Sequence, residues 1–379
     1  MWEPDDLPAW CVLARAPGLK PANLTAALEL CGPPRTWNRA SSADLARAGI
    51  PADTQIFLQG TAGKPQAAER RWLETPGHHL LPLTHPRFPP LLRGLPDCPI
   101  ALFVSGNPTA LADPQLAIVG SRNPTAAGKS TAFEFAQSLA MRGLGITSGA
   151  AEGIDTCAHR GTIQGQGITL AVLGTGIDVV YPHSNRQLFR EIEQTGALVS
   201  EFPLGTVPRR GNFPQRNRII AAMTLGTLVV EAARRSGSLI TARLANSHGR
   251  EVLAIPGSIH SPVSRGCHAL IKAGAKLVEN TDDILSELNF SGFFAQAALP
   301  SNAASIAASH TQGMDKDHKI LLDALGFDPV DLDTLVVSTG FKPDAVSSMM
   351  LILELEGHVQ AAPGGRYSRV AYRRAAGER

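Results

Sequence analysis

The chain lacks the marks of export, membrane insertion and metal capture. No apolar run approaches the ~20 residues that a helix needs to cross a bilayer. Glu3, Asp5 and Asp6 stand where a signal peptide would be positively charged. The five cysteines, Cys11, Cys31, Cys98, Cys157 and Cys267, are odd in number and widely spaced, with no Cys-x-x-Cys among them. That pattern argues against a disulfide framework or a zinc site. These absences lead us to expect a soluble protein of a reducing cytoplasm, without metal or cofactor. Charge of one sign is also lacking: Lys and Arg total 35, Asp and Glu 33, for a net +2. A nucleic-acid partner would therefore have to be met by local clustering of cations.

What is present suits a folded protein of two or three domains. The 379 residues are 44% apolar and 18% charged, enough for a sizeable core and too mixed for a disordered chain. Residues 1–80 read as a small helical domain punctuated by turns at Pro17–Pro21, Cys31–Pro34 and Ala48–Pro51. Leu24, Leu28 and Leu30 give it a fragmentary stripe. One reading of these turns is a helix-hairpin-helix-like unit that approaches DNA phosphates, although Lys20 is its only nearby cation. Residues 81–288 alternate short apolar runs with segments of helical length. The runs begin at Leu116, Gly145, Thr169, Ala197, Thr227, Glu251 and Lys276, with a further strand at Ile100–Val104. The pattern predicts an α/β domain with a mainly parallel sheet covered on both faces. Residues 289–313 are Ala/Ser-rich and read as a linker. Residues 314–373 read as a winged helix: helices near 315–325 and 331–338, a turn at Gly340, a third helix, and a hairpin turning at Gly364-Gly365.

Ligands of an open parallel sheet bind outside the carboxyl ends of its strands, so the residues that follow each run carry the chemistry. After the first comes Gly120-Ser121-Arg122, a glycine, a hydroxyl and a cation at a helix start, which is a phosphate cradle. A GxGxxG fingerprint is missing. Gly128-Lys129-Ser130 imitates the end of a Walker A loop, but Asn123, followed by Pro124, stands where its first glycine belongs. After the second run, Ser148 and Gly149 open a glycine-rich loop leading to Asp155 and His159. With no nucleophile evident, that Asp–His pair reads as support for the loops. Glu231 ends another run, ahead of Ser236, Gly237 and Thr241 at the next helix start.

The most informative segment is Pro208–Arg218. Arg209, Arg210, Arg216 and Arg218 cluster around Phe213 with no acid among them, and Asn217 lies beside them. Cations bracketing an aromatic ring suit single-stranded nucleic acid, because unpaired bases stack while arginines hold the backbone. The third helix of the winged module, with Lys342, Asp344, Ser347, Ser348 and Glu354, is nearly neutral where a DNA-reading helix would be basic. Protein contact suits it better, with Arg369, Arg373 and Arg374 as the nearest cations.

At these residues the chain resembles the DprA/Smf family of DNA-processing proteins over most of its length. The matching elements are GSR at Gly120–Arg122, SGxAxGID at Ser148–Asp155 with His159, and FPxRNRII at Phe213–Ile220. EA…SGSLITA follows from Glu231 to Ala242, and GREVLAIPG from Gly249 to Gly257. Two positions depart from the pattern: His268 stands where many relatives carry Asn, and Arg210 where they often carry Lys. The resemblance implies an extended Rossmann-like domain that binds single-stranded DNA and dimerises, and that loads RecA onto incoming DNA during natural transformation. It places DNA contacts at Ser121, Arg122, Arg210, Phe213, Arg216 and Asn217, and it implies a binding protein, not an enzyme. The rival on a similar fold is the LOG type of nucleoside monophosphate phosphoribohydrolase. Its PGGxGT loop is absent from Glu231–Gly237.

Overall fold

The computed structural model describes residues 3–60, 63–290, 316–327, 329–362 and 364–370. The linker reading at 291–313 and the cations Arg373 and Arg374 fall outside them. The chain divides into two compact units, Met1–Pro124 with Thr131–Phe293, and Thr125–Ser130 with Phe294–Arg379.

The first unit opens with short helices, α1 (Leu7–Arg15), α2 (Pro21–Cys31), α3 (Ser42–Arg47), α4 (Ala52–Gln59) and α5 (Ala67–Leu73). Left-handed glycines, Gly18 at φ +72° and Gly49 at φ +73°, turn the chain between them. Leu24 and Leu28, four residues apart, pack inward, whereas Leu30 falls off that stripe and is exposed. These helices share one apolar core with the sheet: Trp10, Trp37 and Leu45 join Leu80, Phe103 and Leu198.

The sheet has nine strands in the order β1-β2-β6-β5-β4-β3-β7-β8-β9. They are β1 (His78–Pro82), β2 (Ala101–Gly106), β3 (Gln115–Val119), β4 (Gly145–Ser148), β5 (Thr169–Val172), β6 (Ala197–Ser200), β7 (Gly226–Val229), β8 (Glu251–Ala254) and β9 (Lys276–Leu277). From β6 across to β9 all neighbours are parallel, and β2 alone runs the other way, antiparallel to both β6 and the edge strand β1. Period-two alternation sorts each strand's side chains between two cores. Ala117 and Val119 point to one face, Leu116 and Ile118 to the other.

Connecting helices cover both faces. On the first lie α6 (Pro90–Arg93), α10 (Asn212–Met223), α11 (Ser238–Ser247) and α12 (Arg265–Lys272), which bury Leu92, Ile219, Leu239 and Cys267. On the second lie α7 (Ala126–Met141), α8 (Ile154–Gln164), α9 (Arg186–Thr195) and α13 (Thr281–Glu287). The chain moves outward on one side of β3 through β4, β5 and β6, then returns to place β7 on the other side. That reversal makes a topological switch point at the carboxyl ends of β3 and β7.

The second unit packs α14 (Lys316–Leu325), α15 (Leu332–Thr339) and α16 (Pro343–Leu355) around Leu321, Leu335, Val346, Met350 and Leu353. Gly340, in the left-handed region at φ +71°, ends α15. The wing, β11 (Val359–Ala362) and β12 (Arg366–Arg369), gains a third short strand, β10 (Val330–Asp331). The resulting order of helices and strands is that of a winged helix. Among the described residues, no helix is long and apolar enough to cross a membrane.

Candidate nucleic-acid interface

Two glycine loops meet at the switch point and interlock. A Cβ on Gly120 would lie 2.7 Å from Ile154 and 3.0 Å from the Glu231 carbonyl oxygen, so only glycine permits this approach. Gly153, at φ +86°, sits beneath the Ser121 and Arg122 carbonyls, where any side chain would collide. The Ile154 N–H then donates to the Ser121 carbonyl at 3.1 Å. Asp155, in the first turn of α8, ties down the second loop by accepting from the N–H groups of Gly149 (3.1 Å) and Ala151 (3.3 Å). Burial pushes its carboxyl above the ordinary value, while the Arg216 charge and those N–H groups pull it down.

Several residues expected to touch a ligand are instead used by the scaffold. Arg216 is only 4% exposed. Its Nη1 donates to the Gly149 carbonyl at 2.6 Å and also to that of Val172, and its Nε donates to Asn217 Oδ1 at 3.2 Å. Burial draws its pKa down to about 10, against the pull of Asp155. Arg216 thus braces the loops from beneath while still bordering the groove, so a phosphate contact is left only to the part of the guanidinium that those carbonyls do not use. Ser148 is fully buried and donates to the Ile118 carbonyl at 2.6 Å, so its hydroxyl is internal too. Gly149 is buried beside the Arg216 guanidinium. Arg218 leaves the cluster altogether: it pairs with Glu201 and, at 3.4 Å, with Asp97. Two residues past Arg216 on a helix, it points to a different side.

The pair expected between Asp155 and His159 does not form. His159 is completely buried, with Nδ1 2.7 Å from Thr169 Oγ1. The Thr169 hydroxyl donates its proton to the Ile146 carbonyl, so His159 Nδ1 must donate and Nε2 is the bare nitrogen. Burial, reinforced by the Arg216 charge, holds the imidazole at a pKa of about 3, far below its usual value. His159 therefore joins α8 to β5 as a neutral ring. Glu231 supports the site through its main chain, against Gly120. His268 bonds the Gly257 carbonyl at 2.9 Å.

The remaining residues converge. A groove of about 610 Å³ lies across the switch point. Gly120 and Arg122 enter it from the β3 loop, Arg210 from just before α10, Phe213 and Asn217 from its first turns, Ser236 and Gly237 from the β7 loop, and Thr241 from α11. Asn217 spans the last two groups, its Nδ2 3.5 Å from the Gly237 carbonyl. Thr241 is almost wholly buried in the wall. Ser121, half-buried and accepting the Asn123 N–H, and the exposed Arg209 are not on the lining. Arg122 and Arg210 are exposed, and the buried Asp155 is the only acid on the lining among the described residues. The Arg122 guanidinium lies 5.5 Å over the Phe213 ring. Sequence reasoning missed Tyr181, which follows β5 and whose ring lies 5.8 Å from that of Phe213. The strand-end rule pointed to that loop as well, and its Gly174-Thr175-Gly176 was a signal, but the loop carries no cation to mark it.

The chain also matches known proteins. Residues 79–289 match the family model for DNA recombination-mediator protein A, and residues 301–365 match the DprA winged helix domain. The chain belongs to the DprA/Smf family. It is 44% identical to Protein Smf of Escherichia coli (strain K12) over 295 residues, 78% of each chain. The X-ray structure of DNA processing protein A from Streptococcus pneumoniae superposes with a TM-score of 0.64. That match has 35% identity and covers 74% of this chain and 97% of that one. A Helicobacter pylori DNA processing protein A, solved for its single-stranded DNA binding mode, gives a TM-score of 0.50 at 29% identity. It covers 53% of this chain and 93% of that one. This DprA/Smf member is thus a DNA-processing protein on a mainly parallel α/β sheet with a winged helix.

Proposed function

We propose that this DprA/Smf protein holds single-stranded DNA across the switch-point groove and passes it to a recombinase. The observation that carries the reading is the groove itself. Two exposed arginines and two aromatic rings share one lining whose single acid is already engaged by backbone N–H groups. Phosphates are held by the cations and unpaired bases by the rings. The Helicobacter pylori relative, described as a single-stranded DNA binder, supports the same assignment. Gly120, Arg122, Arg210, Phe213, Asn217, Ser236 and Gly237 are the contacts we assign, with Ser121 and Arg209 at the margins.

On the family resemblance, residues 81–288 do the binding and join two copies as a homodimer. RecA is the recipient, incoming DNA in natural transformation is the cargo, and the cytoplasm is the setting. The winged helix serves protein contact. The LOG-type hydrolase reading is weaker, because the β7 loop carries Arg234-Arg235-Ser236-Gly237 in place of PGGxGT. We read the protein as a binder without turnover. Fluorescence anisotropy at stated salt, against a single strand, a blunt duplex and nucleoside monophosphates, tests these readings together. The single strand should bind in clear preference and no monophosphate should be cleaved. Equal affinity for duplex and single strand would sink the proposal.

A further inference from the structure

Helix α10 serves two cavities. At about 100° per residue, Phe213 and Asn217 fall on one side of it and Gln215 and Arg218 on the other. The first pair lines the switch-point groove. The second pair lines a separate cavity of about 290 Å³, shared with Glu201, which follows β6, and with Leu13 and Leu19 of the N-terminal helical region. Toward the groove, α10 is tied by Asn212, whose Nδ2 donates to the Gly174 carbonyl at 3.0 Å, and by Arg216. At the rear it is tied by Arg218. The Arg218 Nη2 donates to Glu201 Oε2, and its Nε lies 3.4 Å from Asp97 Oδ2. These two acids differ in setting, for the Glu201 side chain is 8% exposed and that of Asp97 63%. Arg218 Nη1 is buried with no hydrogen-bond partner among the described residues.

Glu201 is therefore the buried counter-charge of a guanidinium that has little else to lean on. Burial pushes its carboxyl up to about 7, against the pull of Arg218 and of a hydrogen bond with Gln215, with Asp97 adding to the rise. The other charged or titratable groups that face this pair are Asp97 and Cys98 from the segment before β2, Arg93 from the end of α6, and Lys20 from just before α2. Burial holds the Cys98 thiol at about 12, so Glu201 is the group that changes charge near neutrality. When Glu201 takes a proton, Arg218 keeps its charge. It is then left buried with only a solvent-facing acid beside it, which is costly. The adjoining cavity gives its side chain room to swing toward water.

We propose that Glu201 and Arg218 form a proton-sensitive rear tie that positions α10, and with it Phe213 and Asn217, for the single strand. The assignment rests on the single-strand reading above. Both are positioning residues, since neither lines the groove. With Glu201 ionised the tie holds and the groove is preorganised. With Glu201 protonated the tie opens, and an arriving strand must also order α10.

The test is an anisotropy titration of labelled oligothymidylate at constant salt, at about pH 8 and about pH 6, with the full chain and its Glu201→Gln variant. Wild-type affinity should fall by about three- to tenfold from the higher pH to the lower, tracking the ionised fraction of Glu201. Glu201→Gln, a neutral isostere, should start at the wild type's low-pH affinity and show no such fall. Urea midpoints separate positioning from loss of fold. A carboxyl raised above its unfolded value contributes stability that is present at low pH and lost as pH rises through about 7. The wild type should therefore gain urea resistance relative to Glu201→Gln on going to the lower pH, while its DNA affinity drops. His159 is common to both chains and cancels. Hydrogen exchange of the wild type, corrected for intrinsic rates, should show α10 amides less protected at the lower pH, and it decides the matter if Glu201→Gln fails to fold. Parallel affinity profiles for the two chains, or equal α10 protection at both pH values, overturn this tie alone. A wild-type chain that ignores single strands at both pH values overturns it together with the reading on which it rests.

Discussion

The arginine cluster shows how neighbours in sequence part company in space. Phe213 and Asn217 are one helical turn apart and line the groove together. Arg216 turns under the loops and Arg218 turns to Glu201. The cluster was legible as charge, but which member faces ligand depends on which side of α10 the sheet buries, and no local spacing states that. The difference is measurable. Arg216→Ala leaves Asp155 buried without its cation and should destabilise the fold by about 3–5 kcal/mol, read as a lowered urea midpoint. Arg210→Ala should leave that midpoint unchanged while reducing the salt slope of single-strand binding by about one.

Between elements, eight of the nine strands could be read as apolar runs because each is short, continuous and followed by a turn or a helix. β1 was not, because His78-His79-Leu80-Leu81-Pro82 sits at the end of a helical region and pairs antiparallel at the sheet's edge. The tie between α8 and β5 through His159 and Thr169 was equally invisible, as it depends on two residues ten apart meeting across a turn. It has a pH signature. The folded imidazole resists protonation to about pH 3, whereas the unfolded one takes up a proton near its model value of 6.5. Protons therefore favour the unfolded chain throughout that window, and stability from this group is lost as pH falls from 6.5 toward 3. His159→Asn should be less stable at pH 7 but should lose less stability between pH 7 and 5 than the wild type, by urea denaturation. Parallel slopes would remove His159 from the acid response.

For the whole molecule, the two units divide sheet chemistry from a small module of different surface. The outward face of α16 carries Ser347, Ser348, Leu351 and Leu355, the last 77% exposed, and has no cation. Such a face neutralises no phosphates. Removing residues 314–379 should therefore keep single-strand affinity within about tenfold, with circular dichroism confirming that the sheet remains. A larger loss with the sheet intact would make the winged helix a principal DNA contact. The winged module was legible because helix, turn, helix and glycine hairpin each leave local marks. The sharing of one core by α1–α5 and the sheet was not, since it joins residues far apart in the chain.

The interlock of Gly153 under Ser121 means that the main chain of the groove has nothing to assemble when a ligand arrives. Encounter then requires only the swing of a side chain such as Arg122, so association should proceed at a nearly common, electrostatically steered rate across variants. Differences among them would lie in how long the strand stays. Residence time, more than capture, is the quantity this architecture is built to set.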